Sequence, residues 1–553
     1  MKEKRLDPGK VLIAVFLIGL MWIGLFHEYT ACLFGAVLGL FLIQHIRKEK
    51  QLVIYKNATT LAIAAIGLFH LLSCLWALDR GMAFVGLLEF LPVGFFLLLL
   101  MQQPQIREKC IALLPWTMAV MTVVSAAASL IPGIGEAFLV ADRLAGFLQY
   151  PNTFALLLLV SQLLLLGKAE KRWYDWLLMA ILLGGILYSG SRTVFVLTVV
   201  ANLAMGITAK KKLARVVTLA TVAVGILGIA ALAILSDSDV LGRFLRLSLT
   251  ESTFAGRFLY FWDAIPVILK HPFGLGHMGY YYMQQSVQTG VYATTFVHNE
   301  ILQLMLDLGW LPCILLLVAY FKAVKKADLP GKILLLTILA HFCFDFDLQF
   351  GAVFMLLILL LDPCQGKSVT WKKPNLAAAG AGVLAVVSLY MAVALFLPRV
   401  DLLEASAAMY PWHTQTNTLL LTQYADTEKG DALAEDILQQ NEYVNLAYSI
   451  KARSAYHSGD FVSMMQYKKE IFERFPFQYP EYEEYCRMLM IGIQLYTQAG
   501  DTASADICRQ ELLAVKATVE SLGDRLSPLG KIIADQPTTT LPFDIQEYIA
   551  AIK

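Results

Sequence analysis

The chain has 553 residues, of which 58% are hydrophobic and 16% charged, and its formal net charge is +1. Soluble domains carry about 25% charged residues, so much of this surface faces something other than water. A net charge near zero also excludes a globally basic nucleic-acid binder.

The N-terminus, Met1 to Lys10, is basic and leads straight into an apolar run. No small-residue cleavage site follows, so the run reads as a first membrane helix and not as a signal peptide. Mostly apolar stretches then recur near 11–27, 30–46, 58–78, 82–101, 110–131, 151–167, 174–190, 192–209, 213–235, 299–321, 332–345, 348–362 and 376–397. Most are long enough to span a bilayer, and the two between 332 and 362 are short. The spacing predicts an all-α polytopic transmembrane bundle of about 12–13 spans over 1–397. A C-terminal α-helical domain is expected over 398–553.

Lysine and arginine in the short connections orient the bundle. One set of loops holds Arg47, Lys48, Lys50 and Lys56, then Arg107 and Lys109, Lys168 to Arg172, Lys210 to Arg215, Lys322 to Lys332, and Lys367 to Lys373. The opposite short loops hold only Arg80, Arg143 and Arg192. The first set and the N-terminus are therefore expected in the cytoplasm, with the 236–298 loop and the tail outside. An outward arginine at a helix end either snorkels to lipid headgroups or has a ligand.

Six of the eight cysteines lie in or beside apolar runs, and none has metal-ligand spacing. Cys486 and Cys508 fall in the tail, either as a disulfide or as two small buried thiols. The tail has amphipathic helical spacing punctuated by Gly430-Asp431, Gly459-Asp460 and Gly500-Asp501. Glycine there is expected to end one helix and aspartate to cap the next. With Tyr456 and Tyr496 ahead of two of these pairs, the tail resembles tetratricopeptide-type hairpins. Such hairpins serve as a binding surface for a protein partner or as a packed cap.

The 236–298 loop carries the densest chemistry. Asn299 is a good N-cap, which places His298 at the positive end of a helix dipole, a position that favours the neutral ring of a general base. A membrane-edge histidine bonded to backbone would look the same in sequence. Arg257 opens an amphipathic stretch with Tyr260, Phe261 and Trp262, suited either to a pyrophosphate or to the headgroup layer. The Gly274-Leu275-Gly276-His277-Met278-Gly279 run matches GxGxxG formally. It lacks βαβ context, so it reads as a tight turn that lets backbone approach something closely. Arg143 precedes Tyr150-Pro151-Asn152, where a span starts, and Ser189-Gly190-Ser191 breaks one long run into two, setting Arg192 at a helix end.

These residues resemble the O-antigen ligase/polymerase family (the WaaL and Wzy type): Arg257 with Trp262, the Pro272–Gly274–Gly276 turn, and His298-Asn299 running to Gln303 and Gly309. The Arg143-x-x-Gly146…Pro151-Asn152 segment, Ser191-Arg192 and His341…Asp345 fall where that family has similar elements, so the likeness covers roughly 60–360. The resemblance implies glycan transfer from undecaprenyl pyrophosphate to an acceptor hydroxyl on a glycan or lipid, outside the cytoplasmic membrane. Neither nucleotide sugar nor cofactor is implied. His298 and Arg257 become the expected catalytic residues. Arg192, Arg143, Asn299, Gly274 and Gly276 become the expected substrate-binding set, and no metal is expected.

Rival readings stand beside it. A metal-dependent glycosyltransferase would use Glu28 or Asp237-x-Asp239. A flippase of lipid-linked glycans would need deep ionisable residues, of which Glu89 is the main one, and a repeat between halves. A scaffold recruiting partners through its tail leaves the arginines unexplained. Transfer onto protein shares the donor and differs only in acceptor.

Overall fold

A computed structural model describes residues 8–209, 215–216, 223 and 252–552. The chain is predominantly helical, as hydropathy requires: in a bilayer core every backbone polar group must be satisfied within its own segment. In chain order the helices are α1 (Pro8–Met21), α2 (Glu28–Glu49), α3 (Ala58–Ser73), α4 (Arg80–Gln102), α5 (Ile106–Ala128), α6 (Pro151–Gly167), α7 (Trp173–Ser189) and α8 (Arg192–Thr208). Then follow α9 (Ser252–Lys270), α10 (Gly279–Val287), α11 (Glu300–Leu308), α12 (Trp310–Lys326), α13 (Leu329–Phe342), α14 (Gly351–Leu361) and α15 (Asn375–Phe396). The tail holds α16 (Leu403–Met409), α17 (Thr414–Gln423), α18 (Glu428–Gln440), α19 (Asn445–His457), α20 (Phe461–Arg474), α21 (Tyr479–Gln498), α22 (Thr502–Glu520) and α23 (Phe543–Ala551).

Among the described residues four helices are long and apolar enough to cross a membrane: Glu28–Glu49, Arg80–Gln102, Ile106–Ala128 and Asn375–Val400. Shorter apolar helices, among them α6, α7, α8, α13 and α14, accompany them. Helix occupies the greater part of every expected span except 213–235, of which only residues 215–216 and 223 are described. The 299–321 span is not continuous, because Gly309 takes φ +83° and divides it into α11 and α12. Only glycine reaches that conformation without strain.

The helices and the short strands between them fall into two compact units. The first comprises the described residues of Met1–Leu72, Phe84–Leu247 and His298–Phe396. Its tightest pairing joins the two ends of this stretch, α2 with α15, through small residues. A Cβ built on Gly39 would stand 3.0 Å from Ala385 Cβ and 3.4 Å from Ala381 O, and one on Gly35 would stand 3.4 Å from Ser388 Oγ. Gly35 and Gly39 are one turn apart, the small-xxx-small spacing that lets membrane helices approach closely. The pairing continues past the helices as an antiparallel ladder absent from the sequence reading. Here β1 (Gln51–Lys56) joins the strand Lys367–Lys372, with Gln51 opposite Lys372.

The second unit comprises Ser73–Ala83, Ser248–Val297 and Leu397–Lys553 in their described parts. Segment 252–297 shares a core with the tail: Ala255 and Leu259 bury against Ile533, and Thr289 O accepts the amide of Ser527 at 2.9 Å. The tail's glycine–aspartate pairs divide. Asp460 and Asp501 cap α20 and α22, each accepting a backbone N–H at 3.0 Å, after Gly459 and Gly500 at φ +79° and +76°. Gly430-Asp431 instead lies inside α18, whose cap is Thr427. A Cβ on Gly430 would meet Tyr424 O at 1.9 Å, so this glycine serves close approach and not a helix end. Tyr456 and Tyr496 both pack on Phe461.

Cys486 and Cys508 are separate buried thiols in one apolar cluster, and burial pushes Cys486 up to about 12. The fully buried Lys468 ammonium donates to Glu481 at 2.6 Å and also reaches Glu484.

Replacing Gly39 by leucine is expected to lower the thermal midpoint of the detergent-extracted protein. The change drives a side chain into Ala385 at a cost of about 1–3 kcal/mol. A midpoint equal to the parent's would show that α2 and α15 do not depend on this contact.

Candidate functional site

The local sequence places His298 with little freedom. Asn299 caps α11, its side chain accepting the amides of Ile301 at 3.0 Å and Leu302 at 3.1 Å. Its own Nδ2 donates to Cys343 O at 3.0 Å, which ties the start of α11 to the turn after α13. His298 itself takes φ +53°, the left-handed region, where a non-glycine residue is strained by about 1–3 kcal/mol. This conformation sets the half-buried ring at the helix head, edge-on to Phe346 with centroids 4.9 Å apart.

The partner of that ring is Asp345, whose Oδ1 lies 3.4 Å from His298 Nδ1. Asp345 has no exposed surface and is held by donors from one distant segment and from its own turn. Tyr150 Oη donates to Oδ1 at 2.6 Å, Asn152 Nδ2 to Oδ2 at 2.8 Å, and the amide of Phe346 to Oδ1 at 3.1 Å. Asn152 is braced in turn by Arg143, whose Nη2 donates to its Oδ1 at 2.7 Å. Arg143 Nε donates to Ser189 O at 2.8 Å, the last carbonyl of α7 before the Gly190 turn. A chain of contacts thus runs from the α7–α8 junction through Arg143, Asn152 and Asp345 to His298.

Beneath it lies a second histidine–aspartate pair. His341 Nδ1 and Asp347 Oδ2 are 2.6 Å apart with both side chains fully buried, and Thr153 Oγ1 donates to Asp347 Oδ1 at 2.7 Å. Glu300, also buried, accepts the amide of Leu348. These contacts lock the turn between α13 and α14 on which Asp345 sits.

Arg192 opens α8 directly after Ser191, three residues beyond the Ser189 carbonyl that Arg143 holds. Asp237, Asp239 and the loop from 236 to 251 lie outside the described residues. Glu28 opens α2.

The remaining expected residues belong to the second unit. Arg257 stands on α9, one turn before Tyr260, whose ring lies 4.5 Å from that of Tyr292. Asp263 pins the helix to the 289–292 turn, accepting Thr289 N at 2.8 Å, Thr289 Oγ1 at 2.7 Å and Tyr292 Oη at 2.9 Å. Burial raises the pKa of this carboxyl, and the three donors only partly offset the rise. The glycine-rich run is a tight turn, with Gly274 at φ +78° and Gly276 at φ +83°. A Cβ on Gly276 would stand 2.4 Å from Ala77 Cβ, so what this backbone approaches closely is the 73–83 segment.

An array of apolar helices with an ordered polar network at their ends defines a multi-pass membrane protein. Residues 177–317 match the family model for O-antigen ligase. The match supports a membrane glycosyl-transfer role in polysaccharide biosynthesis. No curated protein matches the chain closely enough to be compared with it. The matched region contains Arg192, Arg257, Gly274, Gly276, His298 and Asn299, and stops short of Asp345.

Sequence reasoning set Asp345 among the family-like elements without a role, and it missed Asp347 and the links through Tyr150 and Asn152. The available signal was two acids, two residues apart, inside an apolar run that a membrane helix alone would not tolerate.

Asp345→Asn keeps the volume but loses the carboxylate, and turns an amide toward donors that need an acceptor. Glycan transfer is expected to fall by about 10²–10⁴, as when a histidine loses its orienting acid. Polysaccharide output at matched protein level measures this, and parental output from the variant would remove Asp345 from the site.

Proposed function

We propose that the protein moves a glycan from a polyprenyl-pyrophosphate carrier to an acceptor hydroxyl at the outer face of the cytoplasmic membrane. The observation that carries this reading is His298 beside buried Asp345, at the head of a capped helix inside the region that matches the O-antigen ligase model. A carboxylate at Nδ1 favours the tautomer with its proton on that nitrogen and leaves the Nε2 lone pair as base. Nε2 takes the acceptor's hydroxyl proton while the oxygen attacks the anomeric carbon. The bond from that carbon to the pyrophosphate oxygen breaks, the leaving group keeps the electron pair, and the anomeric centre inverts. Pyrophosphate is a good leaving group, so the protein must supply a base and positive charge for the departing oxygens.

Arg257 and Arg192 take the second task. Guanidinium groups match phosphate oxygens in pairs, and the assignment of these two rests on the family resemblance. Arg143 is already committed to Asn152 and Ser189, which makes it a positioning residue for Asp345. Charge neutralisation by arginine makes the transfer metal-independent. The tail, with its tetratricopeptide-like pattern, forms the extracytoplasmic domain and offers a surface for a protein partner.

His298→Ala is expected to lower transfer at least about a hundredfold while insertion and expression persist. Arg257→Lys is expected to impair transfer too, since lysine keeps the charge but loses the fork. Long-chain glycan made at matched protein level measures both; normal glycan from His298→Ala ends the base assignment, and a silent Arg257→Lys beside a damaging Arg257→Ala ends the fork argument. Transfer in detergent should survive EDTA, whereas activity lost to EDTA and restored by magnesium favours an acidic metal site.

The lysine and arginine asymmetry sets the topology. A membrane-impermeant maleimide should label Val462→Cys in intact cells and Lys48→Cys only after lysis. The reverse pattern inverts the orientation.

A further inference from the structure

The helices that carry the His298 network leave it for the other end of the same unit and enclose a cavity there. α6 runs from Pro151 to Gly167, about 26 Å at 1.5 Å per residue, and α13 runs the other way, from Leu329 near the cavity to Phe342 near Asp345. α14 returns from Gly351 to Leu361. At their far ends, with the starts of α3 and α5 and the last turns of α12, lies a cavity of about 570 Å³. Its walls are apolar, formed by Pro115, Leu164, Ala319, Leu334, Leu335 and Leu360.

Charged groups gather along its lining, and most are already engaged. Arg107 Nε donates to Leu359 O at 2.7 Å and lies 3.7 Å from Asp362, which also accepts Gln365 Nε2. Lys168 pairs with Asp175 at 2.8 Å, and Asp328 caps α13 through the Gly331 amide at 2.9 Å. Glu108 is exposed. Lys322 and Lys326 remain, one turn apart on α12, and enter none of the ion pairs among the described residues. Like charges at this spacing repel and destabilise their helix unless an anion lies between them.

We propose that this cavity binds an anionic phospholipid from the leaflet facing away from His298. Its phosphodiester meets Lys322 and Lys326, and its glycerol and first acyl carbons lie on the apolar walls. A free phosphate would satisfy the lysines and leave those walls wet. An amphiphile satisfies both, and basic pockets between membrane helices are suited to such headgroups. The site stands apart from the transfer chemistry and does not depend on it.

Native mass spectrometry and thermal midpoints of the full chain in a neutral detergent test the proposal, with phosphatidylglycerol, phosphatidylcholine and inorganic phosphate added separately. Phosphatidylglycerol is expected to be retained and to raise the midpoint, with little effect from the other two. Lys322→Ala with Lys326→Ala should weaken its retention about tenfold to thirtyfold, the loss expected for two lysines at a membrane surface. Arginine at both positions should preserve retention, which guards against a variant that merely fails to fold. Lys372→Ala with Lys373→Ala, which removes charge from the segment leading into α15, should change little. Equal retention of phosphatidylcholine, an equal midpoint rise from phosphate alone, or equal loss in the Lys372/Lys373 variant would each overturn the site.

Discussion

A carboxylate withdrawn wholly from water must be satisfied by the protein around it, or its burial costs several kcal/mol. Asp345 is such a group, and its donors come from the start of α6 and from its own turn, with the head of α11 close by. Satisfying one charge therefore fixes the relative position of segments almost two hundred residues apart. Tyr150 and Asn152 cannot shift without stranding the carboxylate, and His298 cannot turn without leaving it. The order at this end of the unit follows from that requirement.

The two histidine–aspartate pairs show how exposure separates structure from chemistry. His341 and Asp347 are 2.6 Å apart and sealed, so the pair serves as a fastening. His298 keeps about a fifth of its side-chain surface open and lies 3.4 Å from its partner. The same two residue types yield a sealed, rigid support in one place and a partly open ring in the other.

Local physics was readable from the residues alone. Hydropathy placed the helices, because a membrane helix is specified by its own segment. Asn299 as an N-cap, and Asp460 and Asp501 after their glycines, were equally visible, since a cap is settled within four residues. What escaped depends on distant partners. Gly430 resembles the other two glycines until Tyr424 O is seen against it. Gly309 sits in an apolar run that fits a straight or a broken helix equally well. Strand Gln51–Lys56 exists because α2 and α15 bring their ends together, a fact no six residues contain. The core shared by Leu259 and Ile533 is likewise made of ordinary apolar residues, unmarked in sequence.

The closure of α2 on α15 also bears on how the protein is made. A ribosome adds about 5–20 residues per second, so Ala385 emerges roughly 17–70 s after Gly39. Throughout that interval the glycine face of α2 lacks its final neighbour, and the intervening helices must enter the bilayer without sealing the gap. The bundle is therefore completed by its last membrane helix and not by its first. A nascent chain cut short before residue 375 leaves an open seam lined with backbone, the kind of surface on which quality-control proteases and insertion chaperones act.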